Sequence, residues 1–376
     1  MHLRRRSTMG TARHPGLPRR ALWLGPLLAA PILPYGGQAA IEGVMMKGKA
    51  HAALAIRRRD GSVEVLDRGA RPRFPRLAAL PFVRGLFILA DMLSLGMWAL
   101  SESARRYELD HPSSGEAPKP DERRATAAKT SATPTFVEQL MMVVSLILAL
   151  VIFKIVPAAA VTGIFALIGW GPLHQIAAPT FSQQLLANAI EGAIKLFIFV
   201  AYIWGVGRLA DVRRVFEYHG AEHIVINAYE HDPDDQQLTF IQSHGVAHPR
   251  CGTSFIVILV LLSVLLFAVL DWALLAAGVP ARNSLPVWWV RWPLRIVGLI
   301  PLAGISYEII KAAFRYYGNP LLRPLLRFGM LFQTLTTRRP SDEQVQVSLA
   351  ALNRARLLTE GIAEPPVPCS TVAVAS

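Results

Sequence analysis

Ser254-Phe-Ile-Val-Ile-Leu-Val-Leu-Leu-Ser-Val-Leu-Leu-Phe-Ala-Val-Leu270 is a run of 17 residues without a single acid or base. Upstream, residues 155–190 form a longer uncharged stretch of 36. A helix needs about 20 predominantly apolar residues to cross a hydrocarbon core, so both regions read as membrane-crossing. Working outward from them gives four spans, near 137–158, 187–207, 254–276 and 294–313. The second carries Glu191 and Lys195 at i,i+4 spacing and the fourth carries Glu308 and Lys311 at i,i+3. Ionisable groups at that depth either mark a transport or proton path or lie near helix ends and snorkel to the interface.

Composition agrees with lipid as part of the solvent. Of 376 residues, 52% are hydrophobic and 17% charged, against about a quarter charged in an ordinary soluble domain. Disordered and fibrous classes are thereby excluded. The net charge of +13 would suit nucleic acid, but most of the excess lies before residue 77. The short connections give the orientation: the loop between the second and third spans carries Arg208, Arg213, Arg214 and Arg250, and the segment after the fourth carries Arg315, Arg323, Arg327, Arg338 and Arg339. By the positive-inside rule that loop and both termini face the cytoplasm. Two cysteines, Cys251 and Cys369, are too few for a disulfide framework.

Two apolar stretches are ambiguous. Residues 21–34 follow six arginines and have the order of a signal peptide without a clear cleavage site; a surface segment or an over-extended start is as good a reading. Residues 85–100 are interrupted by Asp91 and flanked by Arg84 and Glu102, which fits a surface-lying or re-entrant helix better than a span.

The expected fold is mainly α: a polytopic α-helical membrane protein with about four transmembrane helices, a short N-terminal β-hairpin and cytoplasmic amphipathic helices. Residues 1–34 are an extension. Residues 35–103 hold a Gly-rich motif, a hairpin centred on Asp60-Gly61 with period-two alternation on either side, and the surface or re-entrant helix. Residues 104–135 read as a flexible linker. The membrane domain occupies 136–340 with its polar loop at 208–253. Ser341 and Gln344 form a capping box for an amphipathic helix over 341–358 with Val345, Leu349 and Leu352 on one side, and 359–376 is a disordered tail.

Chemistry concentrates in the loop. On a helix, His219 and His223 share one stripe with Glu230, and Glu222 sits beside His219. His-x-x-Glu-His is the order in which two imidazoles hold zinc and the carboxylate between them acts as general base. His248 and Cys251 follow just before the third span. They complete a set of three nitrogens and one sulfur, or Glu230 serves as third ligand and leaves a position open for water. Structural zinc sites use the same residues. Glu42 lies in a segment with four glycines, Gly36 to Gly48, as a carboxylate held for a cation or as part of a plain turn into the hairpin.

Tyr35-Gly-Gly-Gln-Ala-Ala-Ile-Glu-Gly-Val-Met-Met-Lys-Gly, Phe216-Glu-Tyr-His-Gly-Ala-Glu-His, His248-Pro-Arg-Cys-Gly-Thr-Ser-Phe, Ala303-Gly-Ile-Ser-Tyr-Glu-Ile and Gln333-Thr-Leu-Thr-Thr-Arg together resemble the YqhQ-like family. This is a domain-of-unknown-function family of bacterial integral membrane proteins, some labelled as predicted metal-dependent enzymes. The resemblance runs in order over about 35–352. It implies a multi-pass inner-membrane protein and sets Glu42, His219, Glu222, His223, His248, Arg250, Cys251 and Glu308 inside its motif blocks. Ile224 departs from it, standing where the family pattern has a basic residue, which removes a cation from beside the histidines.

Three functions follow as expectations. The first is a hydrolase-like metal enzyme with a divalent ion, zinc foremost, held by His219, His223 and His248, Cys251 or Glu230, with Glu222 as base. The second is a non-catalytic scaffold or assembly factor that meets anionic lipid head groups or a cytoplasmic protein partner; nucleic acid is disfavoured because no aromatic residues interleave with a basic pattern. Transport through Glu191, Lys195 and Glu308 ranks last.

Overall fold

The computed structural model describes residues 35–111, 151–169, 180–248, 251–278, 288–315, 323–360 and 372–374, with 140, 144–145 and 147–148 besides. The expected extension 1–34, most of the expected linker and Arg250 lie outside the described residues.

Four antiparallel strands open the fold: β1 (Gly36–Ala40), β2 (Gly43–Lys47), β3 (His51–Arg57) and β4 (Val63–Gly69), paired in sequence order. The hairpin at Asp60-Gly61 is present, with Gly61 at φ +85°. The Gly-rich segment is not merely a turn into it but forms β1 and β2, a second hairpin. Its glycines let neighbours approach: a Cβ on Gly43 would sit 2.4 Å from the Ala55 carbonyl oxygen. A three-residue strand β5 (Val372–Val374) runs parallel to β4, so the expected tail contains one ordered piece that extends the sheet beside Val63 and Val65.

Both faces of the sheet are covered. Val44, Met46, Ala53, Ala55, Val63 and Val65 point to one side, and Met45, Ala52, Leu54 and Ile56 to the other, the period-two consequence of the pleat. On the second side lies helix α1 (Arg84–Asp110), which buries Leu95, Ala99 and Ser103 there. Residues 104–110, expected as linker, are its last turns; their charges dock the helix, with Arg106 paired to Glu64 at 3.0 Å and Asp110 to Arg58 at 2.7 Å.

After α2 (Val156–Leu167), which continues a π-helical turn at Val151–Ile155, come α3 (Phe181–Val206), α4 (Ala210–His231), the short α5 (Leu238–Gln242), α6 (Gly252–Ala276), α7 (Trp288–Arg315), α8 (Arg323–Thr336) and α9 (Asp342–Glu360). Among the described residues, four helices are long and apolar enough to cross a membrane: α1, α3, α6 through Ile258–Ala276 and α7 through Pro293–Ala312. The last three cover the expected spans at 187–207, which ends one residue earlier at Val206, 254–276 and 294–313. The expected span at 137–158 is described only in part, and it runs on as helix to Leu167. The protein is a polytopic α-helical membrane protein.

The first side of the sheet is covered by α4 and α9. Ser341 and Gln344 cap α9 reciprocally, the Ser341 N–H donating to Gln344 at 2.8 Å and the Gln344 N–H to Ser341 at 3.4 Å. Burial on the helix extends well beyond the expected side of Val345, Leu349 and Leu352. Val345, Val347, Ser348, Leu349, Ala350, Ala351, Leu352, Asn353 and Ala355 are all buried, because Ser348, Ala350, Ala351 and Ala355 are small enough for α4 and the sheet to close on several sides. The Ser348 hydroxyl donates to the Ala221 carbonyl at 3.2 Å. Thus the amino-terminal sheet, α4 from the middle of the chain and α9 from its end form one water-side module beside the membrane helices.

Candidate metal centre

Helix α4 carries the site. It threads between the sheet, α9 and the segment 243–248, so its middle is buried on almost every side, and Tyr218 and Gly220 to Ile226 have little exposure. Gly220 is where the chain following α8 crosses it. A Cβ there would lie 1.8 Å from the Arg338 carbonyl oxygen, and the Arg338 N–H donates to the Phe216 carbonyl at 2.9 Å.

That crossing orients the first histidine. His219 Nδ1 lies 2.9 Å from the Thr336 carbonyl oxygen, and His223 Nδ1 lies 2.6 Å from the Val246 carbonyl. A carbonyl only accepts, so each Nδ1 carries the proton and each Nε2 presents a lone pair. Fixing the tautomer through the far nitrogen is the usual support of a metal-binding imidazole. The two rings lie edge to face with centroids 4.5 Å apart. Cys251, the residue immediately before α6, brings its Sγ to 3.5 Å from His219 Nε2. Donor atoms of His219, His223 and Cys251 all lie within 4.8 Å of one another.

This set fits a divalent ion. Two imidazole nitrogens and a thiolate are ordinary zinc ligands, and tetrahedral bonds of 2.0–2.3 Å separate ligand atoms by about 3.5 Å. Closing the widest gap would take about 1 Å of side-chain movement.

The other expected ligands stand beside the three. His248 is buried, with its ring centroid 5.8 Å from that of His223. Its Nε2 lies 3.5 Å from Glu230 Oε2. Burial pushes this imidazole down to about 4, against a smaller upward pull from Glu222, so it is neutral near pH 7 and the contact with Glu230 is not an ion pair. Its backbone is clasped by Gln333, which accepts the His248 N–H at 2.9 Å and donates to its carbonyl at 2.7 Å. Glu222 is buried and accepts the Gly37 N–H at 3.0 Å, which ties α4 to β1 one residue away from His223.

Glu42 and Glu308 do not join this group. Glu42 sits at φ +52° between β1 and β2, paired with Arg214 through both carboxylate oxygens and accepting from the Tyr218 hydroxyl at 3.2 Å. Burial, with the negative charge of Glu42, raises the Tyr218 phenol and keeps it a donor. Glu308 pairs with Arg84 at the start of α1 and accepts the Phe82 N–H at 3.3 Å.

Sequence reasoning missed the supports: Thr336 and Val246 act through backbone carbonyls and Gln333 through a clasp over 85 positions. Asn227 was visible, four residues after His223 on the same stripe, and it pins the segment by donating to the carbonyls of Gly245 at 2.8 Å and Ala247 at 3.1 Å. Also missed was a buried polar group among the spans, where Arg295 on α7 meets Asp271 on α6 at 2.6 Å and Asn188 on α3 donates to the same carboxylate at 3.2 Å.

A family described as a protein of unknown function, DUF1385, matches residues 80–357. The chain is similar to the uncharacterised protein YqhQ of Bacillus subtilis (strain 168), at 32% identity over 327 residues, which is 85% of this chain and 91% of that protein. No solved structure matches.

Proposed function

Because the chain belongs to the DUF1385 family, whose function is unknown, we propose a function from its own chemistry: a membrane-bound, metal-dependent enzyme of hydrolase type. His219, His223 and Cys251 would hold a divalent ion, zinc first, and Glu222 is the nearby carboxylate suited to act as base. Such an ion would supply Lewis acidity enough to activate water near pH 7, so no nucleophilic serine would be needed. The observation that supports this reading is the convergence of two Nε2 atoms and one Sγ within 4.8 Å, with both histidines oriented through their far nitrogens. His248, neutral and adjacent, is in reserve as a fourth donor, which would make the centre structural.

The site's place narrows the substrate. Cys251 precedes the apolar window Ile258–Ala276 by about 10 Å of helix, so the centre lies at the membrane surface. By the positive-inside rule, the arginines of the 208–253 loop and of the segment after α7 support the cytoplasmic face of the inner membrane for that surface.

Two measurements on purified full-length protein test this. Metal analysis should give about one equivalent per chain in the wild type and less than about a tenth in His219→Ala and Cys251→Ser. Wild-type protein at that low level would sink the reading. Cobalt loading then separates catalytic from structural: added azide should shift the visible spectrum of an open three-residue site, and a spectrum blind to azide would make the site structural.

A second reading rests on an open cleft of about 880 Å³ at the other end of α4, lined by Arg57, Arg58, Arg59, Arg213 and Arg214 along with Glu42, Asp110, Asp211 and Glu217. A non-catalytic protein could bind an anionic head group or a protein partner there. In that case metal-site variants would leave partner recovery unchanged, while Arg59→Ala would reduce it.

A further inference from the structure

We infer that residues 71–95 form a re-entrant element, which enters the leaflet on the module's side, turns beside α7 and returns along the first turns of α1, with bilayer lipid as its partner. By length and hydropathy α1 qualifies as a span, but its contacts give it two ends on one side. The chain leaves β4 at Gly69, in the sheet, and α1 comes back to the same sheet. The Ser103 hydroxyl accepts the Ile41 N–H at 3.2 Å, Arg106 pairs with Glu64, and Asp110 pairs with Arg58. A helix that crossed could not pack its second half against the strand order it had just left.

The count of crossings agrees with these contacts, although α1 with α3, α6 and α7 would also make an even number, so the hold of the sheet on Ser103, Arg106 and Asp110 decides between the two. The sheet, α4 and α9 touch one another directly, through Glu222 to Gly37 and Ser348 to Ala221, so they share one side of the membrane. Helices α6 and α7 leave and return between α4 and α9. Helix α3 leads into α4 after three residues, so one further crossing is needed between Asp110 and Phe181, where the apolar run ending at Leu167 lies. With Asp110 held on the module's side by Arg58, that crossing and those of α3, α6 and α7 close the topology without one at α1.

The deep end is built for lipid. Residues 70–83 meet α7 where Gly304 has no side chain: a Cβ there would lie 1.7 Å from the Phe82 carbonyl oxygen, and one on Gly85 would lie 2.6 Å from Tyr307 Cβ. Phe82 is held in the left-handed region at φ +63°. At the turn, Glu308 is answered by the Arg84 guanidinium and the Phe82 N–H, while Asp91, about two turns nearer the sheet, acts on the charge of Lys47. Outward, Phe74, Leu80, Phe82, Leu89, Leu93 and Met97 stand exposed, with Phe82 at 59% and Leu93 at 66%. Leu89, Leu93 and Met97 recur every four residues and form one stripe, opposite the stripe that buries Leu95 and Ala99 on the sheet. Between Arg84 and Leu95 there is roughly 17 Å of helix, about half of a 30 Å hydrocarbon core.

The test uses full-length protein in phosphatidylcholine–phosphatidylglycerol vesicles. With Cys251 and Cys369 replaced by serine, Arg71→Cys, Glu108→Cys and the reference Asp232→Cys are labelled with an impermeant maleimide. All three should react from one side. Bimane attached at Phe82→Cys and Leu93→Cys should be quenched several-fold more than bimane at Glu108→Cys by nitroxide-bearing phosphatidylcholine. Labelling of Arg71→Cys and Glu108→Cys from opposite sides overturns the inference, because the helix then crosses. Same-side labelling without quenching also overturns it, because protein and not lipid then covers the element. Protease sites inserted after Arg71 and after His111, with both cysteines intact, repeat the comparison should the serine background fail to fold.

Discussion

Helices α3 and α9 are built in opposite senses. The buried residues of α9 are led by Val345, Val347, Leu349 and Leu352. Those of α3 are Gln184, Ala187, Asn188 and Glu191, while Phe197, Tyr202 and Trp204 stand outside. The module around α9 hides apolar surface from water. Around α3 there is no such gain from hiding hydrocarbon in hydrocarbon, so its interior takes the polar side chains that lipid would not solvate. The metal-ligand candidates lie at the seam, on a water-module helix and at the first residue before a membrane helix.

The sharpest way to break this contrast is to remove a charge from the membrane interior. Asp271 is fully buried and answers Arg295 and Asn188. Asp271→Ala leaves the Arg295 guanidinium without its carboxylate, with only the Asn188 amide oxygen at 3.2 Å to accept from it, and should cost about 3–5 kcal/mol, the scale for stripping one partner from a buried pair. Unfolding in mixed micelles would measure it. Asp271→Leu with Arg295→Met should recover most of the loss, since an apolar pair of similar volume leaves no stranded charge. An undiminished stability in Asp271→Ala would mean the pair is wet and the interior is not lipid-like.

Next come two leucines on opposite sides of the seam. Leu352 in α9 is 1% exposed and Leu265 in α6 is 55% exposed. Leu352→Ala should cost about 2–5 kcal/mol through lost burial and a cavity. Leu265→Ala should stay within about 0.5 kcal/mol, as at an exposed position. Equal effects would show that α6 is covered by protein on that face.

The third prediction joins stability to the site. Gly220→Ala pushes a methyl into the Arg338 carbonyl, which shares its segment with the Thr336 carbonyl that orients His219. Overpacking of this kind costs about 1–3 kcal/mol, and bound metal should fall with it. Retained metal at lower stability would mean that His219 does not depend on that clamp.

What was legible in the sequence was local. Asp60-Gly61 makes its turn within four residues, Ser341 and Gln344 cap within three, and His219 and His223 share a face because helical geometry says so. The rest needed partners far along the chain. Strands β1 and β2 hide among glycines whose purpose appears only when Gly43 meets Ala55 and Gly37 meets Glu222. Helix α9 looked one-sided because its alanines count for little in a pattern, although their smallness is what lets it be buried. Asp271 and Arg295 stand 24 positions apart in or beside apolar runs, and neither reveals the other. The tautomer-fixing carbonyls of Val246 and Thr336 have no side-chain signature at all.

The smallest effect decides what Glu42 is for. Its carboxylate pairs with Arg214, whose side chain is 49% exposed, and solvent there screens the attraction to about 0.2–1 kcal/mol. Glu42→Gln keeps the shape, keeps an acceptor for the Tyr218 hydroxyl and discards only the charge, so unfolding should shift by no more than that. Because Arg214 and Tyr218 already occupy this carboxylate at the α4 end nearer the cleft, metal content should be unchanged. A Glu42→Gln protein of wild-type stability that loses its metal would move Glu42 from the frame of the module into the centre itself, and the three-residue ligand set would be wrong.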